Sequence, residues 1–270
     1  MKFAVTTLSP LIEESVSISL FEGTFEERTR KISDAGYDGV ELLVRDPSKL
    51  NLQQILFTIR KYSLTVAAIG SGLQSSMEGL TLSASESSQR QKAIQRAREL
   101  ISLGAQLGTK IVTIGSFRGK SGDLTLLTDT LASLAKDAEG FSIILAIEPL
   151  NRYESSLINT AKEAVNVINA IGSPNVGLLL DTFHMNIEEA SWSETIKETK
   201  SSLVHVHLGD SNRLAPGLGH IDFETVLTSL AKIGYSGWVS SEHLALPNPD
   251  KAGIFGAQTI RPILNQIQCL

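Results

Sequence analysis

Four segments of the chain end an apolar run on a residue that can bind a metal or move a proton. "SIILAIE" ends on Glu148, "VGLLLD" on Asp181 and "GWVSSE" on Glu242, while "LVHVHLGD" passes His207 before Asp210. One acid closing a strand is commonly a helix cap or a solvated end. Three carboxylates and one imidazole at successive strand ends form a convergent set. Mixed oxygen and nitrogen donors of this kind suit a divalent cation with open positions, Mn²⁺ first and Mg²⁺ or Co²⁺ as alternatives, over a thiolate-bound structural zinc. His205 shares the parity of His207 in a strand but sits one layer deeper, which predicts a core histidine supporting its neighbour. Asp181 is followed by "TFHMNIEE", so the expected cap of that turn is the same residue as the expected ligand.

Elements of a definite order are needed to bring these ends together. Short β-rich runs are expected at 3–6, 39–44, 65–69, 110–114, 142–148, 176–181, 203–208 and 237–242. Helical patterns lie near 24–35, 51–62, 86–107, 124–140, 160–171, 189–200, 222–233 and 251–268. "DAGYDG", "LGAQLGTK", "AIGSPNVG" and "KIGYSGW" each close a helix on glycine before the next strand. Strict alternation requires parallel strands joined by crossovers. Eight units within 270 residues predict a single-domain α/β fold over 1–270, a (β/α)8 TIM barrel, in preference to an open doubly wound sheet. In such a barrel the C-terminal strand ends form the active site.

Composition narrows the partners. Net charge is −5, which argues against nucleic acid or an anionic membrane as the main partner. No apolar run approaches the roughly 20 residues that span a bilayer, and the N-terminus lacks a secretory pattern, so a cytoplasmic protein is expected. A lone cysteine, Cys269, excludes an internal disulfide and lies outside any expected site. Trp192, Trp238 and Tyr153 are expected to pack, and His243 to point away from the barrel interior. "GSFRGKS" resembles a phosphate-binding loop but has one residue too few between Gly115 and Gly119. Its Arg118 and Lys120 are instead candidate contacts for an anionic substrate, with a solvated turn as the plain alternative.

"AIEPLNRYE", "LLLDTFHMNIEEA", "HVHLGDSNRLAPGLGHIDF" and "GWVSSEH" resemble segments of the ketose 3-epimerases, the D-tagatose and D-psicose 3-epimerase group of the xylose-isomerase-like barrels. The resemblance spans 143–243 in motif. It implies a metal held by Glu148, Asp181, His207 and Glu242, with Glu148 and Glu242 exchanging the C3 proton of a ketose through a cis-enediolate. It also implies that Glu154, His184 and Arg213 hold substrate oxygens; members of that group are often dimers or tetramers, though no patch in this sequence identifies an interface. His220, in "GLGHID", is a weaker candidate for the pocket lining. The loop after the first strand, "SPLIEESVSISLFEG", offers no aromatic before Phe21, where that group has aromatics lining the sugar. A phosphorylated ketose or a sugar acid is therefore the alternative substrate. An abasic-site endonuclease or a non-catalytic sugar-binding barrel are more distant alternatives.

Overall fold

The computed structural model describes residues 1–268, so Cys269 lies outside the described residues. Eight strands run in chain order around one closed parallel barrel. They are β1 (Lys2–Leu8), β2 (Gly39–Leu43), β3 (Thr65–Gly70), β4 (Ile111–Ile114), β5 (Ile144–Ile147), β6 (Val176–Asp181), β7 (Leu203–Leu208) and β8 (Trp238–Ser241). The helices are α1 (Phe25–Asp34), α2 (Leu52–Lys61), α3 (Gly72–Ser76), α4 (Ser87–Leu107) and α5 (Leu124–Glu139). They continue as α6 (Ala161–Ile171), α7 (Thr182–Glu188), α8 (Trp192–Glu198), α9 (Phe223–Lys232) and α10 (Pro249–Gln268).

The helices start and stop for local reasons. Thr24 with Glu27, and Thr160 with Glu163, form reciprocal capping boxes on α1 and α6. Asp123 caps α5 through the amides of Thr125 and Leu126. Gly108 and Gly172 adopt φ of 78° and 65° at the ends of α4 and α6, a conformation that costs glycine little. The expected helix near 189–200 is the shorter α8, which begins after a cap at Ser191, and an additional helix, α7, precedes it and ends at Glu188.

Side-chain parity sorts the strands. Val40 and Leu42 of β2 and Leu178 and Leu180 of β6 face outward into the layer between barrel and helices. The inward positions of the lower barrel are small or aliphatic, with Ala68, Ile111, Ala146 and Leu179 packed together. This plug fills the interior, as in barrels generally, and leaves the polar residues above it. The ladder continues one residue past β5 and β8, because the amides of Glu148 and Glu242 bond the carbonyls of Ile114 and Leu208. The two acids are therefore held on backbone that belongs to the sheet.

Trp238 and Trp192 are half-buried and serve packing, Trp238 closing over Gly39. Tyr153, by contrast, is 83% exposed, against the expectation that it packs. It is the outer residue of a turn whose next member, Glu154, faces the barrel mouth. Among the described residues no helix is long and apolar enough to cross a membrane.

Candidate active site

Glu148, Asp181, His207 and Glu242 each offer one ligand atom, and the four atoms lie within 4.8 Å of one another. The sheet register produces this convergence. Asp181 pairs with His207, and His207 with Ser240, so the side chains of Asp181 and His207 share the inward face, and Glu242 follows two residues past Ser240. Nδ1 of His207 stands 2.9 Å from Oε2 of Glu242 and 3.4 Å from Oε1 of Glu148. Asp181 also caps α7, accepting from the amide of Phe183 at 2.7 Å through Oδ1. The capping reading and the ligand reading of Asp181 are compatible, since a carboxylate has a second oxygen.

The electrostatics of the cluster call for a cation. Burial, together with the charges of Glu148 and Glu242, pushes the Asp181 carboxyl up to about 8. Burial, and then the Glu242 charge, also raises Glu148. For His207, burial opposes charge, but the carboxylates of Glu242 and Glu41 outweigh it and lift the ring well above its ordinary value. Oε1 of Glu148 and Nδ1 of His207 are each buried without a hydrogen-bond partner. Two orphaned atoms at a point where three carboxylates and an imidazole converge fit a divalent metal ion.

One member of the site escaped the sequence reading. Glu41 lies in the middle of β2, fully buried, and faces inward. Its carboxylate meets Nε2 of His205 at 2.9 Å and Nε2 of His207 at 3.1 Å. Burial alone would raise this carboxyl, but the two imidazoles hold it below the ordinary carboxylate range. Glu41, His205 and His207 also satisfy the spacing of a metal cluster. Their separations are those of hydrogen bonds, and the group lies beneath the four-ligand site, so it is read as that site's support. The one available signal was an acid interrupting the apolar strand "VELL" at an inward position. His205 has the supporting role expected of it.

Above the four candidate ligands, the three residues expected to hold substrate are joined in one network. Arg213 donates to Oε1 of Glu154 at 2.7 Å, and the same oxygen accepts from the Asn151 amide at 2.9 Å. Asn151 also contacts Nδ1 of His184, whose Nε2 lies 4.0 Å from Oε1 of Glu148. Burial, with the nearby positive charge of Arg213, keeps His184 well below its ordinary range, so the ring is neutral. The Arg213 guanidinium lies 5.0 Å from the centroid of the Phe183 ring. Arg213 itself has φ of 61°, held by the turn from Asp210 to Leu214. Asp210 anchors that loop by accepting from the amides of Ser211, Gly217 and Ile221. A side chain at Gly219 would strike Asp210 at 2.2 Å, which accounts for one glycine of "PGLGH".

The basic loop departs from expectation. Arg118 is fully buried, and its guanidinium donates to the carbonyls of Gly115, Glu148, Leu157 and Ile158. Its Nε also reaches the Leu157 carbonyl. With every N–H turned to backbone, Arg118 has no donor left for an anion, so the anion-contact expectation is corrected for this residue. Lys120 is exposed, the solvated alternative. Gly115 is needed for another reason: a Cβ there would lie 2.2 Å from Oε2 of Glu148. His220 is exposed on its loop, and His243 is buried on the outer face of the barrel, near Gly256 of α10.

Comparison with known proteins agrees with this geometry. The family described as the xylose isomerase-like TIM barrel matches residues 29–258. An L-ribulose 3-epimerase of Mesorhizobium japonicum is 30% identical over 84% of this chain and 77% of its own. A D-psicose 3-epimerase of Enterocloster bolteae is 42% identical over a shorter stretch, 44% of this chain and 39% of that protein. Among solved structures, an L-ribulose 3-epimerase superposes with a TM-score of 0.83 at 25% identity, covering 98% of this chain and 95% of that one.

Proposed function

We propose, from the premise that the chain belongs to the xylose isomerase-like TIM barrel family, that it is an isomerase inverting C3 of an unphosphorylated ketose. The observation that carries the reading is the placement of Glu148 and Glu242. They approach one buried point from β5 and β8, with Nδ1 of His207 between them at 3.4 and 2.9 Å. Inversion at a carbon needs a base on one face and an acid on the other. A carboxylate on each side supplies both, with roles exchanged when the reaction runs backward.

Proton and charge balance follow. The ionised glutamate on one face takes the C3 proton, and the bonding electrons pass into an enediolate spanning C2 and C3. The opposite glutamic acid returns a proton to the other face, and the C2 carbonyl re-forms. A divalent ion held by Glu148, Asp181, His207 and Glu242 would supply Lewis-acid polarisation of the ketone, an effect worth several kcal/mol. Neutral His184 and cationic Arg213 offer donors to the sugar oxygens, and Glu154, tied to Arg213, offers an acceptor for a hydroxyl.

The geometry favours a neutral substrate over a phosphorylated ketose or sugar acid, because the Arg118 guanidinium is spent on backbone carbonyls and Lys120 is solvent-exposed. An endonuclease reading is opposed by the net charge of −5. A purely sugar-binding barrel has no use for two glutamates about one point.

The test incubates the protein, loaded with Mn²⁺, in deuterated water with fructose, tagatose, psicose and ribulose, and with their phosphates. The expected result is metal-dependent inversion of a free ketose with solvent deuterium at C3. Turnover confined to the phosphates, or none with any ketose, overturns the proposal.

A further inference from the structure

Asn151 follows Leu150 in the segment after β5, is 1% exposed, and has each polar atom committed. Its orientation is fixed from both ends. Oδ1 accepts from the amide of Tyr153 at 3.0 Å, and Nδ2 donates to the Glu154 carboxylate at 2.9 Å. A backbone N–H can only donate and a carboxylate oxygen accepts, so the side-chain oxygen and nitrogen are identified without ambiguity. The second hydrogen of Nδ2 then points at Nδ1 of His184, 2.8 Å away. The backbone amide of Asn151 donates to the same Nδ1 at 3.2 Å.

Two donors converge on one ring nitrogen, which must therefore carry a lone pair. The proton of the neutral imidazole sits on Nε2. That nitrogen is buried, has no hydrogen-bond partner in the protein, and lies 4.0 Å from Glu148. We propose that Asn151 is a positioning residue that locks His184 as the Nε2–H tautomer, making its ring a fixed hydrogen-bond donor to the substrate oxygen beside Glu148. The inference rests on the proposed epimerase reading for the substrate, and on this structure alone for the tautomer. The proton stays on Nε2 throughout: the ring steadies developing negative charge and neither takes nor gives a proton. A ring held in advance in the donating form spends nothing on reorganisation when charge appears.

Substitution by aspartate separates this role from a structural one. Asn151→Asp keeps the oxygen that accepts from Tyr153, but replaces the donor to both His184 and Glu154 with an acceptor. The carboxylate pulls the proton to Nδ1 and leaves Nε2 bare.

The first measurement is the ¹⁵N spectrum of histidine-labelled protein with Mg²⁺, with the His184 signals assigned by their loss in His184→Gln. Wild type should show an unprotonated Nδ1 and a protonated Nε2, and Asn151→Asp should reverse or mix them. A wild-type spectrum with the proton on Nδ1 overturns the proposal, whether or not any variant folds. The second is a double-mutant cycle on a ketose that the protein turns over. Asn151→Asp should lower kcat by about 10²-fold, and most of that loss should vanish in the His184→Gln background, leaving only the part that runs through Glu154. An undiminished loss in that background places the effect of Asn151 elsewhere and overturns its action through His184. The spectrum requires no turnover, so failure of the ketose reading leaves the tautomer result standing.

Discussion

The carboxylate of Glu41 lies 3.1 Å from Nε2 of His207, on the opposite side of the ring from the nitrogen that faces Glu148 and Glu242. A hydrogen bond from Nε2–H to Glu41 leaves the lone pair on Nδ1, the form that binds a metal ion. Glu41→Gln should weaken Mn²⁺ binding by about 10–100-fold with the barrel intact, because an amide can hold the ring in either tautomer. Titration calorimetry on chelator-treated protein measures this. Wild-type affinity in the variant would remove Glu41 from the support of the metal site.

Asp181 and His207 should separate binding from stability. Asp181→Asn keeps an oxygen to accept from Phe183, so α7 stays capped and Tm should change little while Mn²⁺ binding is lost. His207→Ala removes the metal site and also strips Glu41 of one of its two imidazole partners. That leaves a buried charge less well compensated, so this variant should bind no metal and melt at a lower temperature. Metal content after dialysis and thermal melts of both variants check the contrast. Retained Mn²⁺ in Asp181→Asn contradicts the ligand assignment.

The metal-free protein should lose stability as pH rises between about 7 and 8. In that window an unfolded aspartate is ionised, whereas burial holds the Asp181 proton up to about 8. His207, raised well above its ordinary value, also keeps a proton that the unfolded chain releases. The folded state thus binds more protons than the unfolded one, and stability falls by about 1.4 kcal/mol per pH unit for each such proton. His184, His205 and His243, all lowered mainly by burial, are neutral in both states here and add no slope. Mn²⁺ displaces these protons, so its stabilising shift in Tm should grow with pH. A flat melting temperature in chelator from pH 7 to 8 would count against the protonated, cation-free cluster.

The barrel was legible because its evidence is local. Glycine stops such as Gly108 and Gly172, caps such as Thr24 and Thr160, and eight apolar runs each act over a few residues, and the closed parallel order follows from their alternation. The four candidate ligands were legible for the same reason, since each lies within one residue of the C-terminal end of a strand. Glu41 was not, because its partner His207 is 166 positions away, and only closure of the barrel brings β2 to face β7. Arg118 misled for the opposite reason. A basic residue in a glycine-rich loop is usually solvated, and nothing local announces the four carbonyls that draw this one inward.

That inward turn makes Arg118 a structural residue with a measurable cost. Arg118→Lys keeps the charge but cannot reach carbonyls on both the Gly115 and Leu157 sides, leaving buried acceptors unpaired at about 1–3 kcal/mol each. The variant should melt at a clearly lower temperature. Because Arg118 also bonds the Glu148 carbonyl, activity should fall with every ketose to a similar extent. A loss selective for phosphorylated substrates would restore the anion contact that the structure argues against.

Proton transfer gives the last test. Glu148 and Glu242 are assigned to opposite faces of C3, so replacing either by glutamine removes the base in one direction and the acid in the other. Glu148→Gln and Glu242→Gln should each slow inversion by at least about 10²-fold. Both are also candidate metal ligands, so Mn²⁺ content must be measured alongside activity to keep the two effects apart. With metal retained, the surviving glutamate can still remove and return a proton on its own face. Each variant should then exchange the C3 hydrogen of one epimer with deuterated water while leaving its configuration unchanged, and the two variants should act on opposite epimers. Rapid inversion in either variant, or exchange of the same epimer by both, is incompatible with one glutamate on each face.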